Sequence, residues 1–89
     1  MSDYWPSKDP DEKLDYLIDW APRLNGDTIS TSTVSAPGLT LHSTAATQSA
    51  VTIWLSGGTA GTRHLVHNRI VTSGGRTMDK TVPLWVLSK

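Results

Sequence analysis

Aliphatic residues recur at every second position from Val51 to Leu55. Val51, Ile53 and Leu55 point one way, and Thr52, Trp54 and Ser56 the other. That is the period of a strand with one buried face. Gly57, Gly58 and Gly61 follow, giving the backbone freedom that a sharp corner needs. Thr62 to Thr72 is long and rich in β-branched residues, which predicts a second strand after the corner. The same alternation occurs upstream, where Leu14, Tyr16, Ile18 and Trp20 share one face of Lys13–Trp20. The preceding D-P-D-E looks like a helix start, but strict alternation of four large residues favours a strand. Trp20 is then a core residue.

The remaining elements follow the same rule. Ala21 to Gly26 reads as a loop with an Asn-Gly turn signal. Asp27 to Ser35 is a strand whose apolar points, Ile29 and Val34, have opposite parity, so a bulge or bend is expected between them. Ala36-Pro37-Gly38 turns the chain into a short strand, Leu39–Ser43, with Leu39 and Leu41 inward. Thr44 to Ser49 reads as a polar connection. In the last strand, Thr77–Ser88, Met78, Val82, Leu84 and Val86 share a face with Lys80. Pro83 and Trp85 lie on the other face, and Pro83 cannot donate to a ladder, which predicts an edge strand or a bulge there. Ser73-Gly74-Gly75-Arg76 marks a hairpin tip. A two-residue loop would set Arg69 against Lys80, an unfavourable like-charge pair. Shifting the register by one aligns Val66 and Ile70 with Val82 and Met78, so an odd loop of three or five residues is expected. Six or seven short strands joined by turns predict an all-β fold, with a sandwich favoured over a barrel. Residues 1–12 carry two prolines and little periodicity, and read as an irregular arm before a domain over residues 13–89.

Composition narrows the function. The chain of 89 residues is a single domain, and eight basic residues balance eight acidic ones. A neutral chain gives no electrostatic reason to expect nucleic acid. It has no cysteine, which removes disulfides and thiolate metal sites and suits synthesis in a reducing cytoplasm. The start has neither a basic nor an apolar segment of a secretory signal, and no apolar run reaches the ~20 residues of a membrane span.

Candidate chemistry is sparse. His64 and His67 sit three apart on a strand and therefore face opposite sides, so no metal is expected between them. Asp9, Asp11, Glu12 and Asp15 cluster, but Pro10 and Lys13 break the calcium-loop pattern, and a solvated charge run is the plainer reading. Gly57 to Thr62 lacks the Lys and the following helix of a phosphate loop and reads as a β-turn. No Gly-x-Ser-x-Gly elbow occurs. The expectation is a non-enzyme without metal or cofactor. Tyr4 and Trp5 are the bulky groups of the arm and would either cover an open end of the core or anchor a partner.

Two strings carry a resemblance: K-D-P-D-E-K-L-D-Y-L-I-D-W-A-P-R-L-N-G-D-T-I, and T-I-W-L-S-G-G-T-A-G-T-R-H-L-V-H-N-R-I-V-T-S-G-G-R-T-M-D-K-T. Both are similar to a family of small proteins from tailed-phage and prophage structural clusters, which resembles the phage fibre-tail adaptors. The matching positions are Trp54, Gly57, Gly58, Gly61, Asn68 and Arg69. The resemblance implies an immunoglobulin-like sandwich and a structural role in the virion, joining tail and fibre components. It also implies other virion proteins as partners, possible oligomers in the particle, and no catalytic residue. Members of the family carry Tyr where His64 stands. A Tyr there would act like the corner tyrosine of such sandwiches, and His64 leaves that hydrogen bond open. A head- or tail-completion role fits the motif as well. Expected contact positions are Tyr4, Trp5, Gly57, Gly58, Gly61, Gly74, Gly75 and Trp85. Trp85, off the apolar parity of its strand, also suits a carbohydrate-binding module for the host surface, the alternative reading.

Overall fold

A computed structural model describes residues 5–88. It contains six strands and a single helical turn: β1 Leu14–Asp19, α1 Ala21–Leu24, β2 Ile29–Ser35, β3 Thr40–Ala46, β4 Ala50–Ser56, β5 Thr62–Thr72 and β6 Thr77–Val86. The strands form two antiparallel three-stranded sheets, ordered β1-β4-β3 and β2-β5-β6. Those orders correspond to B-E-D and C-F-G of the immunoglobulin sandwich. The expected all-β sandwich is therefore what the chain forms.

Alternation places the core where it was expected. Tyr16, Ile18, Val51, Ile53 and Leu55 from one sheet meet Val66, Ile70, Val82 and Leu84 from the other, all buried. Trp20, fully buried at the end of β1, is the largest of these side chains. Its indole Nε1–H donates to Asn68 Oδ1 on β5 at 2.9 Å. Asn68 in turn donates through Nδ2 to Ser32 Oγ at 2.9 Å and to the Thr33 carbonyl at 3.0 Å on β2. One amide thus ties the first sheet to two strands of the second, with every group satisfied as burial demands. Arg23 and Lys80 lie over the Trp20 ring, 5.2 and 5.4 Å from its centroid. Lys80 shares the apolar parity of β6 because its cation rests there on an aromatic face.

The bulge expected in the second strand is present, as a register shift between Ile29 and Thr31. It brings Ile29 and Val34 both against the core. The β5–β6 register pairs Arg69 with Asp79, Val66 with Val82 and Ile70 with Met78. The last full pair, Val71 with Thr77, leaves five residues between them, and the Thr72 N–H donates to the Arg76 carbonyl at 2.8 Å to close an inner loop of three. The odd loop follows from avoiding the cation pair. β6 is an edge strand. Trp85 and Leu87 turn their backbone groups outward to Lys8, so by strand period Pro83 also faces the open edge and costs no ladder bond.

Three local expectations are corrected. Residues 21–24 wind into one helical turn, begun by Pro22 at an early position and ended by Asn25 at φ 50°. β3 runs on to Ala46, through residues read as a polar connection. Leu41 is exposed rather than inward. β3 is a sheet border with a register shift between Leu41 and Ser43, and every residue of it is exposed, so the facing sheet does not cover it. Leu39, just before the strand, does pack on the core.

Replacing Asn68 with Ala leaves the buried Trp20 N–H without an acceptor. The expected loss is about 1–3 kcal/mol. Urea titration of the Trp20→Phe and Asn68→Ala single and double variants checks it. The double variant should cost clearly less than the sum of the singles.

Candidate functional site

The sandwich is elongated, with extents of 42 × 23 × 16 Å. β5, eleven residues long, runs about 36 Å at the usual strand rise, so its two ends define two poles. One pole holds the Gly57–Gly61 corner and the Pro37-Gly38 turn, and the other holds the Ser73–Gly75 tip beside Asp27.

At the first pole His64 takes the place expected of a corner tyrosine. It is buried, and its Nε2 accepts from the Thr59 N–H at 3.3 Å. Nδ1 therefore carries the proton and donates to the Pro37 carbonyl at 3.2 Å. The open corner bond is made by an imidazole. His67 faces the opposite side of the sheet, as strand parity requires, and lies 3.0 Å from Asp79. Gly58 is wedged in this corner at φ +97°; a Cβ there would lie 2.7 Å from Val86 and 2.9 Å from Leu39. At Gly61, exposed and at φ +79°, a Cβ would meet nothing within 4 Å.

The arm packs into the same pole. Lys8 pairs with Val86 as a parallel bridge, with its N–H donating to the Trp85 carbonyl at 2.9 Å and its carbonyl accepting from Leu87 at 2.8 Å. The Lys8 side chain is buried, and Nζ donates to the Asp9 and Gly57 carbonyls, both at 2.7 Å. Burial pulls this ammonium below its ordinary pKa, and the carboxylates of Glu12, Asp9 and Asp11 oppose that pull. Trp5 is buried as well. It stacks on Tyr16 at 4.7 Å and donates to the Leu17 carbonyl of β1 at 3.3 Å. Of the two readings of the arm aromatics, covering the core describes Trp5; Tyr4 lies outside the described residues. Tyr16 pays for this packing, because its hydroxyl is buried without a partner and burial pushes it up to about 12. The acidic run folds on itself: Glu12 Oε1 accepts from the Asp9 N–H at 2.7 Å, and Asp9 Oδ1 from the Asp11 N–H at 2.8 Å. Among the described residues no three His, Cys, Asp or Glu side chains gather as a metal site.

At the second pole Asp27 Oδ1 accepts from the backbone N–H groups of Thr28 and Gly74, at 2.8 and 3.1 Å. A hydrogen bond from Thr72, with these two, holds its carboxyl below the usual range. Gly74 and Gly75 are exposed, but the tip is tethered. On the outer face nearby, Arg69 Nε donates to Asp79 Oδ1 at 2.8 Å and holds that carboxyl low too.

Trp85 is 46% exposed, next to Leu65 and Pro83 on the outer face of the second sheet. On the outer face of the first sheet Trp54, 39% exposed, lies near Leu17. Neither Trp54 nor Leu65 is among the contact positions expected from the sequence. Their signal is a large apolar residue on the solvent parity of a strand whose other parity is already apolar.

The model of one protein family, described as podophage GP4 fiber-tail adaptor protein gp77, matches residues 8–85. No curated protein matches the chain.

Gly58→Ala adds a close contact to an unfavourable backbone and should cost about 2–4 kcal/mol, against about 1 kcal/mol for Gly61→Ala. Thermal unfolding of the two variants tests this ranking. Asp27 and Asp79 have folded pKa values below their unfolded ones. Their contribution is present above the unfolded carboxylate pKa, about 4, and is lost as pH falls through the folded values. Stability of Asp79→Asn should therefore depend less steeply on pH below about 4 than that of the parent chain.

Proposed function

This chain belongs to the podophage GP4 fiber-tail adaptor family, and we propose from that premise that it bridges a tail component and a fibre component of the virion. The carrying observation is its shape. A stiff body 42 Å long presents a loop cluster at each pole. At both poles the loops are held by hydrogen bonds, through His64 at one and Asp27 at the other. Rigid ends lose little entropy on docking, which favours affinity. One partner meets the corner at Gly61 and its neighbours; the other meets the Gly74-Gly75 tip. Gly57, Gly58 and Trp5 act by shaping the body, since they are partly or wholly enclosed. Trp85 has Leu65 and Pro83 to one side and Arg63 directly opposite, and one charged group beside apolar ones suits a protein surface better than a sugar, which needs several hydrogen-bonding groups around its stacking ring.

The test is binding of the purified chain to the tail and fibre proteins encoded beside it. Ala60→Arg at the corner and Arg76→Glu at the tip change exposed positions at opposite poles. Each variant should lose one partner by at least tenfold and keep the other. Binding to neither protein by the parent chain would remove the bridging role.

A further inference from the structure

The two outer faces carry matched rungs of opposite charge. On the first sheet Asp15 is directly opposite Trp54, and Leu17 follows two residues along β1. On the second sheet Arg63 is directly opposite Trp85, and Leu65 follows two residues along β5. All six side chains lie on the solvent parity of their strands and are exposed. Each rung is therefore a charge, a tryptophan and a leucine in the same arrangement, acidic on one face and basic on the other. Neither Asp15 nor Arg63 has an ion-pair partner among the described residues, whereas Arg69 on the same face is already joined to Asp79.

We propose that the first-sheet face of one copy docks on the second-sheet face of another copy of this chain. Charge complementarity selects this occupant. The same chain supplies both halves, and pairing like faces would oppose Asp15 to Asp15 or Arg63 to Arg63. The contact joins two different patches, so it is heterologous and propagates as a ring or an open stack. Both rungs lie beside the same pole: Trp54 precedes Gly57 by three residues, and Arg63 follows Gly61 by two. Stacked copies then stand side by side with their corner ends level. Size permits it. A standard interface takes about 800 Å² from each partner, and two such faces use about a third of the chain's 5010 Å² surface. This goes beyond the bridging role, which uses the poles and leaves the faces open, and it is tested on the isolated chain.

Sedimentation velocity of the purified chain, from micromolar to about 1 mM, is the experiment. Concentration-dependent association is expected, weakening with added salt. Asp15→Arg and Arg63→Glu should each raise the dissociation constant at least tenfold. A one-to-one mixture of the two variants should recover association, because each then offers the charge the other lacks. Trp85→Ser gives a break independent of charge, and circular dichroism melts confirm that the exposed substitutions leave the fold intact. A parent chain that stays monomeric throughout overturns the proposal. So do charge variants that associate like the parent, or a mixture that shows no recovery. Protection of Trp85 only by an added tail or fibre protein would assign that face to a different occupant and likewise overturn it.

Discussion

The hydrogen bond from Trp20 to Asn68 holds the two sheets in one relation. Apolar faces alone would bring them together, but hydrophobic contact is not directional and tolerates sliding. A buried amide that must satisfy an indole, a hydroxyl and a carbonyl at once permits one alignment. Breaking it leaves orphaned groups in a dry interior, and that asymmetry makes the alignment robust. The bulge near Ile29, the placement of Lys80 over the Trp20 ring and the close of β1 into its helical turn all accommodate this arrangement.

Other residues of the family resemblance meet in pairs of the same kind. Lys8 of the K-D-P segment reaches Gly57 of the glycine block. Trp20 of D-W reaches Asn68 of N-R-I. Asp27 of D-T-I reaches Gly74 at the hairpin tip. These contacts join segments far apart in the chain, across the sandwich or at its ends. The family pattern thus records how the body is built. Trp54 is the matched aromatic that faces solvent, and nothing in the core requires it there. Leu17, Leu65 and Trp85 are outward apolar positions of the same kind, exposed on the faces of the two sheets.

Strand alternation made most of the fold legible. β1, β4, β5 and β6 and their inward faces follow from it, as do the bulge in β2 and the odd hairpin loop, because a strand register that buries one face and separates two cations has few solutions. What escaped was set by tertiary context. Leu41 alternates like a core residue, yet β3 is a border strand that the opposite sheet does not cover. The helical turn at Ala21–Leu24 is too short to show a period. Burial of Lys8 runs against the normal behaviour of lysine and depends in part on the Gly57 carbonyl, distant in sequence. The outward tryptophans were visible as exceptions to parity, but which of them lie opposite a charge is a matter of register.

The arm crosses from one sheet to the other, with Trp5 bonded at the margin of β1 and Lys8 laid along the margin of β6. Bare margins of a sheet recruit foreign strands and are a common route to aggregation. Here one such margin is capped by an aromatic and another by a short run of the chain's own backbone, and the uncapped part of β6 is guarded by Pro83 and Asp79. At β1 and β6 a joint with another chain would therefore form through side chains, which separate and re-form more readily than a shared ladder, whereas β3, the other border of the first sheet, lies exposed along its whole length.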